Sequence, residues 1–192
     1  NQQAKDIYNG GDLTVSSSFG LTNPYEVFLS GITHQNSDTN LFARESINHQ
    51  SIEKLTDKPG SLHNVLNDGN LSITGRFNGS TRAAGILMIN ESLVTQAINL
   101  GHVEVDNELQ LSTGELAAAG IAYLHAGAYA QTIDAANYGQ IESRNLTSNG
   151  FSHAAGIVLR NDLNANLSTI SSGSANKFSK VMFSINYGDV YA

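Results

Sequence analysis

A short phrase recurs five times along this chain: an Asn, any residue, a Gly, any residue and then an aliphatic residue. The copies begin at Asn9, Asn67, Asn99, Asn137 and Asn186. A sixth copy begins at Asn48 and has Gln50 in place of the Gly. A phrase repeated in this way indicates a repeat architecture, in which similar units stack on one another and bury a continuous core.

A second phrase, Ala-Ala-Gly-Ile, alternates with the first at residues 83–86, 118–121 and 154–157, with a weaker copy at 29–32. The central positions of the two phrases, taken together, are 15 to 20 residues apart. Such intervals are too short for helical hairpin repeats of roughly 33 to 47 residues. They predict an all-β fold, a single-stranded parallel β-helix (β-solenoid) of about ten coils of 15–20 residues. One large coil that holds a copy of each phrase is the alternative.

Each recurring letter has a role in this prediction. Gly permits sharp corners and close backbone approach, and stacked Asn side chains can form amide ladders. Residues 115–125 have good helix propensity, but an internal Gly before a β-branched Ile in three aligned copies favours a strand. The aliphatic residues should form an inward-facing column, which comprises Leu13, Ile32, Ile52, Leu71, Ile86, Val103, Ile121, Ile141, Ile157 and Val190.

The pattern predicts one domain over residues 1–192. The stretches 33–47 and 54–66 lack both phrases and carry more charge, so we expect them to protrude from the solenoid as loops. The phrase is still present at Asn186–Val190, where no capping segment is apparent. An open solenoid end needs a cap, so we expect the chain to be a fragment of a longer one.

The composition excludes several classes of function. A net charge of −7 with only 10 Lys and Arg residues argues against a nucleic-acid partner. The apolar stretches are far shorter than the roughly twenty residues that span a bilayer, so we expect no direct membrane insertion of this segment. The absence of Cys excludes disulfides, thiolate metal sites and Cys nucleophiles. Plentiful Asn, Ser, Thr and Gly residues suit a long extracellular β structure.

The strings Ile98–Val103 and Ile185–Val190 resemble the Ile-Asn-x-Gly-x-Ile repeats of bacterial surface β-helices. The resemblance is to the β-helix passenger domains of bacterial autotransporter adhesins and related large secreted repeat surface proteins, and it covers most of the chain from residue 7. It implies an exported right-handed parallel β-helix, secreted or displayed on the bacterial cell surface at the outer membrane. The Ala-Ala-Gly-Ile phrase is not a standard part of that pattern. The resemblance implies no catalytic residues.

Residues with catalytic or metal-binding chemistry are scattered. The six His residues are His34, His49, His63, His102, His125 and His153. No two have metal-ligand spacing, and a structural or surface role is expected for each. A Gly-x-Ser-x-Gly elbow and a phosphate-binding loop are both absent from the sequence. We therefore predict no catalytic, cofactor-binding or metal residues and no cofactor.

Carboxylates that flank the phrases are the remaining candidates for chemistry. Two carboxylates stacked on adjacent coils would be close enough for acid–base work on a polysaccharide. The spacing does not say which residues stack, and solvation at the surface is the simpler interpretation of each. The candidates are Asp12, Asp134, Glu142, Asp162 and Asp189.

The favoured function is a non-catalytic structural and binding module of an exported bacterial surface protein, an adhesin or toxin-like passenger in cell adhesion and virulence. Its partners would be a host surface protein, a glycan, or another copy of the module. The alternatives are a polysaccharide-degrading β-helix enzyme and a phage tail-fibre segment. The chain has no Trp, and Tyr138 and Tyr187 lie beside repeat phrases, so little aromatic surface is available for sugar stacking. We expect the residues that bind a partner to lie at positions that differ between copies of the two phrases.

Overall fold

The described part of the chain is built from parallel β-strands. The computed structural model describes residues 4–17, 26–36, 61–108, 114–126, 130–145, 151–162 and 179–192. Within these ranges the regular structure is entirely strand, and the strands form four parallel sheets. None of the described residues belongs to a helix that is long and apolar enough to cross a membrane. The prediction of an all-β fold with parallel strands is confirmed.

The chain visits the four sheets, A, B, C and D, in that order, and one complete pass is called a circuit. The first circuit contains β1 (Ala4–Asn9), β2 (Leu13–Ser17), β3 (Val27–Ser30) and β4 (Thr33–Asn36). The second contains β5 (Leu62–Asn67), β6 (Leu71–Gly75), β7 (Thr81–Ala84) and β8 (Leu87–Asn90). The third contains β9 (Leu93–Asn99), β10 (Val103–Asn107), β11 (Glu115–Ala119) and β12 (Ala122–Ala126).

In the fourth and fifth circuits the strand of sheet A is split in two. The fourth circuit contains β13 (Gln131–Ile133), β14 (Ala136–Asn137), β15 (Ile141–Asn145), β16 (Phe151–Ala155) and β17 (Val158–Asp162). The last described strands are β18 (Lys180–Met182), β19 (Ile185–Asn186) and β20 (Val190–Tyr191). Strands β18 and β19 continue sheet A, and β20 continues sheet B.

The strand register shows what repeats. Each strand pairs in parallel with the strand one circuit away, so that Asn67 lies beside both Asn9 and Asn99 in sheet A. Successive Asn residues of the first phrase are 58, 32, 38 and 49 residues apart along the chain. The second phrase stacks in sheet C, where Ala118 pairs with Ala83 and Ala154. One circuit therefore holds one copy of each phrase.

The prediction of about ten coils of 15–20 residues is not confirmed, and the pairing matches the longer unit. The physical reason is that a circuit has two Gly corners. The first phrase turns the chain from sheet A to sheet B, and the second turns it from sheet C to sheet D. Both corners need a Gly followed by an inward aliphatic residue, so the interval between consecutive phrases measures only part of a circuit.

The bounds of the two predicted loops also differ from the structure. Thr33–Asn36 is a strand of sheet D, and Leu62–Asn67 is a strand of sheet A. The remaining parts of the two stretches at residues 37–47 and 54–60 lie outside the described residues. Polar residues in 33–36 and 62–66 therefore occupy strands, where every second residue faces outward and tolerates them.

Buried apolar side chains form three clusters, one of which comprises Ala84, Met88, Ala117, Ala119 and Tyr123 of sheets C and D. Sheet A packs on sheet D through Val65, Leu87 and Val94, and sheet B packs on sheet C through Ile73, Val105 and Leu116. Of the predicted inward column, Leu13, Ile32 and Ile157 are half-buried and Val190 of the last described circuit is 40% exposed, whereas Ile52 lies outside the described residues. Leu71, Val103 and Ile141 stack in sheet B, whereas Ile86 and Ile121 stack at the corner between sheets C and D, all fully buried. Burial of each such side chain contributes roughly 1.5–3 kcal/mol.

The predicted amide ladder is confirmed. In each step the Asn Nδ2 donates to the Oδ1 of the Asn in the next circuit at 2.7 Å, which joins Asn9, Asn67, Asn99, Asn137 and Asn186. Each Nδ2 also donates to the Gly carbonyl oxygen of its own phrase at 2.6–3.2 Å. Because Asn67, Asn99 and Asn137 are fully buried, these bonds satisfy amides that water does not reach.

The Gly of the second phrase packs directly against this ladder. A Cβ on Gly85 would overlap the carboxamide of Asn99, and a Cβ on Gly120 would overlap that of Asn137. The same contact recurs between Gly31 and Asn67. The Gly of the second phrase in one circuit therefore contacts the Asn of the first phrase in the next circuit, which links the two phrases.

A column of left-handed residues runs through sheet A and has no counterpart in the sequence pattern. Its members are exposed and have φ between 51° and 55°, and they comprise Asp6, Asn64, Gln96, Asp134 and Phe183. The register places them side by side in successive circuits, between in-register pairs such as His63 with Thr95 and Val65 with Ala97. The column marks a repeated break in sheet A, at which β13 is separated from β14 and β18 from β19.

Replacement of a member of this column by Gly should stabilise the protein. We expect Gln96→Gly to raise the free energy of unfolding by up to about 1 kcal/mol, because the left-handed region costs an L-residue roughly 1–2 kcal/mol and the freedom of Gly in the unfolded chain offsets part of this gain. Urea denaturation gives the measurement. The matched control is Thr14→Gly, at an exposed strand residue without positive φ, which should destabilise. Equal losses for both variants would contradict the assignment.

Candidate functional site

The structure separates the five carboxylates that the sequence singled out. Asp12 accepts a hydrogen bond from the Asn70 backbone N at 2.8 Å, and Asp134 belongs to the left-handed column of sheet A. Asp189 is exposed just before β20, and Asp162 ends β17, its side chain lying outside the described ones. Among the candidates whose side chains are described, Glu142 alone has an acidic in-register partner within the described residues, which is Glu104 of sheet B.

The carboxylate cluster comprises Glu104, Asp106 and Glu142 around the guanidinium of Arg144, on the outer face of sheet B. Arg144 Nη2 donates to Glu104 Oε1 at 2.6 Å, and its Nε lies 3.0 Å from Glu142 Oε1 and 3.9 Å from Asp106 Oδ2. The cluster is assembled by register, since β10 alternates inward Val103 and Val105 with outward acidic residues, and β15 aligns with it.

Negative charge exceeds positive charge in the carboxylate cluster. Burial, together with repulsion from Glu104, Glu108 and Glu142, raises the pKa of Asp106 despite the opposing charge of Arg144. The Oδ1 atom of Asp106 is shielded from solvent and accepts no hydrogen bond within the described residues. The cluster can thus hold a guanidinium, as Arg144 shows, and retains negative charge that attracts further cations.

A second charged group, the arginine cluster, lies on the outer faces of sheets C and D. Arg82 Nε donates to Glu115 Oε2 at 2.9 Å, and Arg82 Nη1 lies 3.3 Å from Glu26 Oε1. Tyr123 donates its hydroxyl to the same Glu115 oxygen at 2.7 Å. The guanidinium carbon of Arg82 also lies 5.4 Å from the ring centre of Phe28 and 5.2 Å from that of Tyr123.

The bonds of the arginine cluster join three successive circuits. Burial opposes ionisation of Glu115, but the hydrogen bonds from Tyr123 and Arg82 outweigh it and lower the pKa of the carboxyl. Burial, followed by the bond to Glu115, raises the pKa of Tyr123. Each charge pairs with an opposite charge from a neighbouring circuit, which is typical of ion pairs that hold adjacent strands in register.

His125 is fully buried at the end of β12. Its Nε2 lies 2.8 Å from Thr132 Oγ1 and its Nδ1 3.0 Å from Ser179 Oγ. Burial lowers its pKa from 6.5 to about 4. Two hydroxyl partners satisfy the neutral ring, so the structural role predicted for His residues fits the surroundings of His125.

Lowering the pH should destabilise the protein over the range in which His125 is protonated in the unfolded state but neutral in the folded state. The unfolded state takes up the proton near pH 6.5 and the folded state only near pH 4. The contribution is therefore complete above pH 6.5 and is lost between these values. From about pH 7.5 to about pH 5 we expect a loss of about 2 kcal/mol, measured by urea denaturation at each pH. His125→Gln should abolish most of this slope, and an unchanged slope would contradict the assignment.

The tyrosine patch comprises Leu100, Tyr138 and Tyr187, which occupy the second position of the first phrase. Because Asn faces the ladder and Gly packs on the neighbouring circuit, the residue between them faces outward. The three side chains are 43, 51 and 61% exposed. The rings of Tyr138 and Tyr187 stack with centroids 4.8 Å apart and planes 12° apart.

Sequence reasoning missed Glu104, Asp106 and Arg144. The available signal was the similarity of residues 103–106 to residues 141–144, which both begin with the last aliphatic residue of a first phrase followed by Glu. That similarity predicts contact only once the two segments are known to be one circuit apart, and the shorter coil would have placed them two coils apart.

The described residues include no group of three His, Asp or Glu side chains arranged to hold a metal ion. Two charged clusters and one aromatic patch are thus the features from which function can be argued. Comparison of the chain with family models, curated proteins and solved structures found no match.

Proposed function

We propose that this chain is a non-catalytic structural and binding module of an exported bacterial surface protein, an adhesin or toxin-like passenger. The observation that supports this proposal is that the recurring and the variable residues of the first phrase lie in different surroundings. The recurring Asn and Gly form the interior ladder and corner, whereas the variable residue between them is a large, exposed apolar or aromatic side chain in the last three copies. Exposed aromatic patches of this kind are typical of interaction sites.

We further propose that the module is a single-stranded, right-handed parallel β-helix. Support comes from the constant order in which the chain visits sheets A to D and from the parallel pairing between successive circuits. Connections between parallel strands of one sheet are right-handed in nearly all proteins. Display outside the cell is supported by the residue composition and by the resemblance to passenger β-helices.

The experiment for the proposed function is a binding survey. The purified chain is immobilised and probed with a panel of host extracellular-matrix proteins, host cell-surface glycans and the chain itself, by surface plasmon resonance. We expect saturable binding to at least one class of ligand. The tyrosine patch should contribute to it, so Tyr138→Ser/Tyr187→Ser should weaken the interaction more than Phe151→Ser, which removes an exposed aromatic ring from sheet C. Binding to no member of the panel would contradict the proposal.

A polysaccharide-cleaving enzyme is the second candidate, and the pairing of Glu104 with Glu142 is the observation in its favour. Glycoside hydrolases need one protonated and one ionised carboxyl on either side of the scissile bond. Here the guanidinium of Arg144 lies between the two groups and pairs with both. Release of reducing sugars from a panel of polysaccharides, lost in Glu142→Gln, would establish this candidate over the binding module.

A further inference from the structure

The tyrosine patch is not required by the scaffold. The same column, at the corner between sheets A and B, holds Gly10 in the first circuit and Asp68 in the second. The ladder bonds of those circuits are equally short, at 2.7 Å. The corner therefore forms equally well with no side chain or with a polar one, and Leu100, Tyr138 and Tyr187 expose apolar surface without a structural need for it.

The patch borders the carboxylate cluster. Gln140 follows Tyr138 by two residues, and its Nε2 donates to Glu142 Oε2 at 3.2 Å. His102 follows Leu100 by two residues, and its Nε2 lies 4.0 Å from the same Glu142 oxygen. Asp189 follows Tyr187 by two residues in the same way, and it adds an exposed carboxylate. An aromatic surface and an acidic surface thus meet along one edge.

The charge of this surface specifies the class of partner. The carboxylate cluster has three carboxylates and one guanidinium, and Asp189 adds a fourth carboxylate nearby. Arg144 shows how an arginine side chain is received, with its guanidinium between Glu104 and Glu142. Arg and Lys side chains also place their aliphatic stems on aromatic rings and their charge over the ring face.

We infer that the tyrosine patch and the adjoining carboxylates bind an extended, Arg- and Lys-rich segment of a partner protein. The inference rests on the proposed function as a binding module and names the chemistry of its partner. The aliphatic stems of the segment lie on Leu100, Tyr138 and Tyr187, and its cationic groups face the carboxylates. Acidic glycans and nucleic acids are repelled by the same charges.

The test uses the whole chain and a fluorescein-labelled peptide of alternating Arg and Ala residues, followed by fluorescence anisotropy. A peptide with Gln in place of Arg is the charge control. We expect the Arg peptide to bind and the Gln peptide not to bind. Salt should weaken this binding, and the affinity should fall about fivefold or more in Tyr138→Ser/Tyr187→Ser. The variant Phe151→Ser, which removes a 69% exposed ring on sheet C, should bind as the unmodified chain does. Far-UV circular dichroism checks that each variant is folded.

Three outcomes would overturn the inference. They are absence of binding, equal affinities of the tyrosine variant and the Phe151→Ser variant, and preferential binding of an uncharged oligosaccharide at the same tyrosines. If the peptide fails to bind while a host ligand from the survey still does, the partner chemistry is wrong and the proposed function stands. If neither binds, both fail.

Discussion

Asn99→Asp should lower the free energy of unfolding by more than about 4 kcal/mol, which approaches the total stability of many domains. Asn99 is fully buried, and its Nδ2 donates to Asn137 Oδ1 at 2.7 Å and to Gly101 O at 2.8 Å. Aspartate has the same shape but no N–H group. Its second oxygen would face two acceptors, and its charge would be buried without a counter-ion.

The matched control for this prediction is Asn70→Asp, the same chemical change at an exposed position directly before β6. Asn70 uses only its Oδ1, which accepts from the His102 backbone N at 2.9 Å, and aspartate keeps that bond. We expect an effect within about 0.5 kcal/mol. Urea denaturation followed by far-UV circular dichroism measures both variants. A small loss in Asn99→Asp, comparable to the control, would contradict a structural role for the ladder.

Gly120→Ala should be the second large effect, with a loss of about 3 kcal/mol or more. A Cβ on Gly120 would overlap the carbonyl oxygen of Gly156 and the carboxamide of Asn137. The backbone of one circuit and one step of the ladder would both have to shift, and a close-packed interior resists such a change.

The control is Gly11→Ala in the first circuit, where the nearest atom to a Cβ is Asn9 Oδ1 at 3.9 Å, an ordinary contact. We expect this variant to unfold within about 1 kcal/mol of the unmodified chain. Thermal melting distinguishes the two alanine variants. Similar melting temperatures would show that the Gly of the second phrase is not held against the ladder.

The interior of the fold was predictable because its letters recur. The amide ladder, the inward aliphatic residues and the strand at Glu115–Ala119 all follow from stacking identical positions on one another. Circuit length was not predictable from the intervals, since two corners of one circuit use similar letters. The resemblance to passenger β-helices stays a prediction.

Features made by residues that do not recur could not be placed in space from the sequence. The left-handed column contains Asp, Asn, Gln and Phe, so its members share a backbone conformation but no residue type. The carboxylate cluster depends on the 38-residue offset between β10 and β15, which is one of four different offsets in the chain. Insertions between strands vary, and only the register reveals which side chains meet.

Disulfide trapping tests the circuit directly, because the chain has no native Cys. In the structure Ser72 and Glu104 are in-register neighbours on the outer face of sheet B, with Ser72 Oγ 3.2 Å from Glu104 Oε2. Ser72→Cys/Glu104→Cys should form a disulfide under mild oxidation, detected by peptide mapping, whereas Ser72→Cys/Glu142→Cys, two circuits apart, should not. If the coil were 15–20 residues long, Ser72 and Glu104 would be about 10 Å apart and would not crosslink. Failure of the first pair to form a disulfide in the folded chain would contradict the placement of Ser72 and Glu104 one circuit apart.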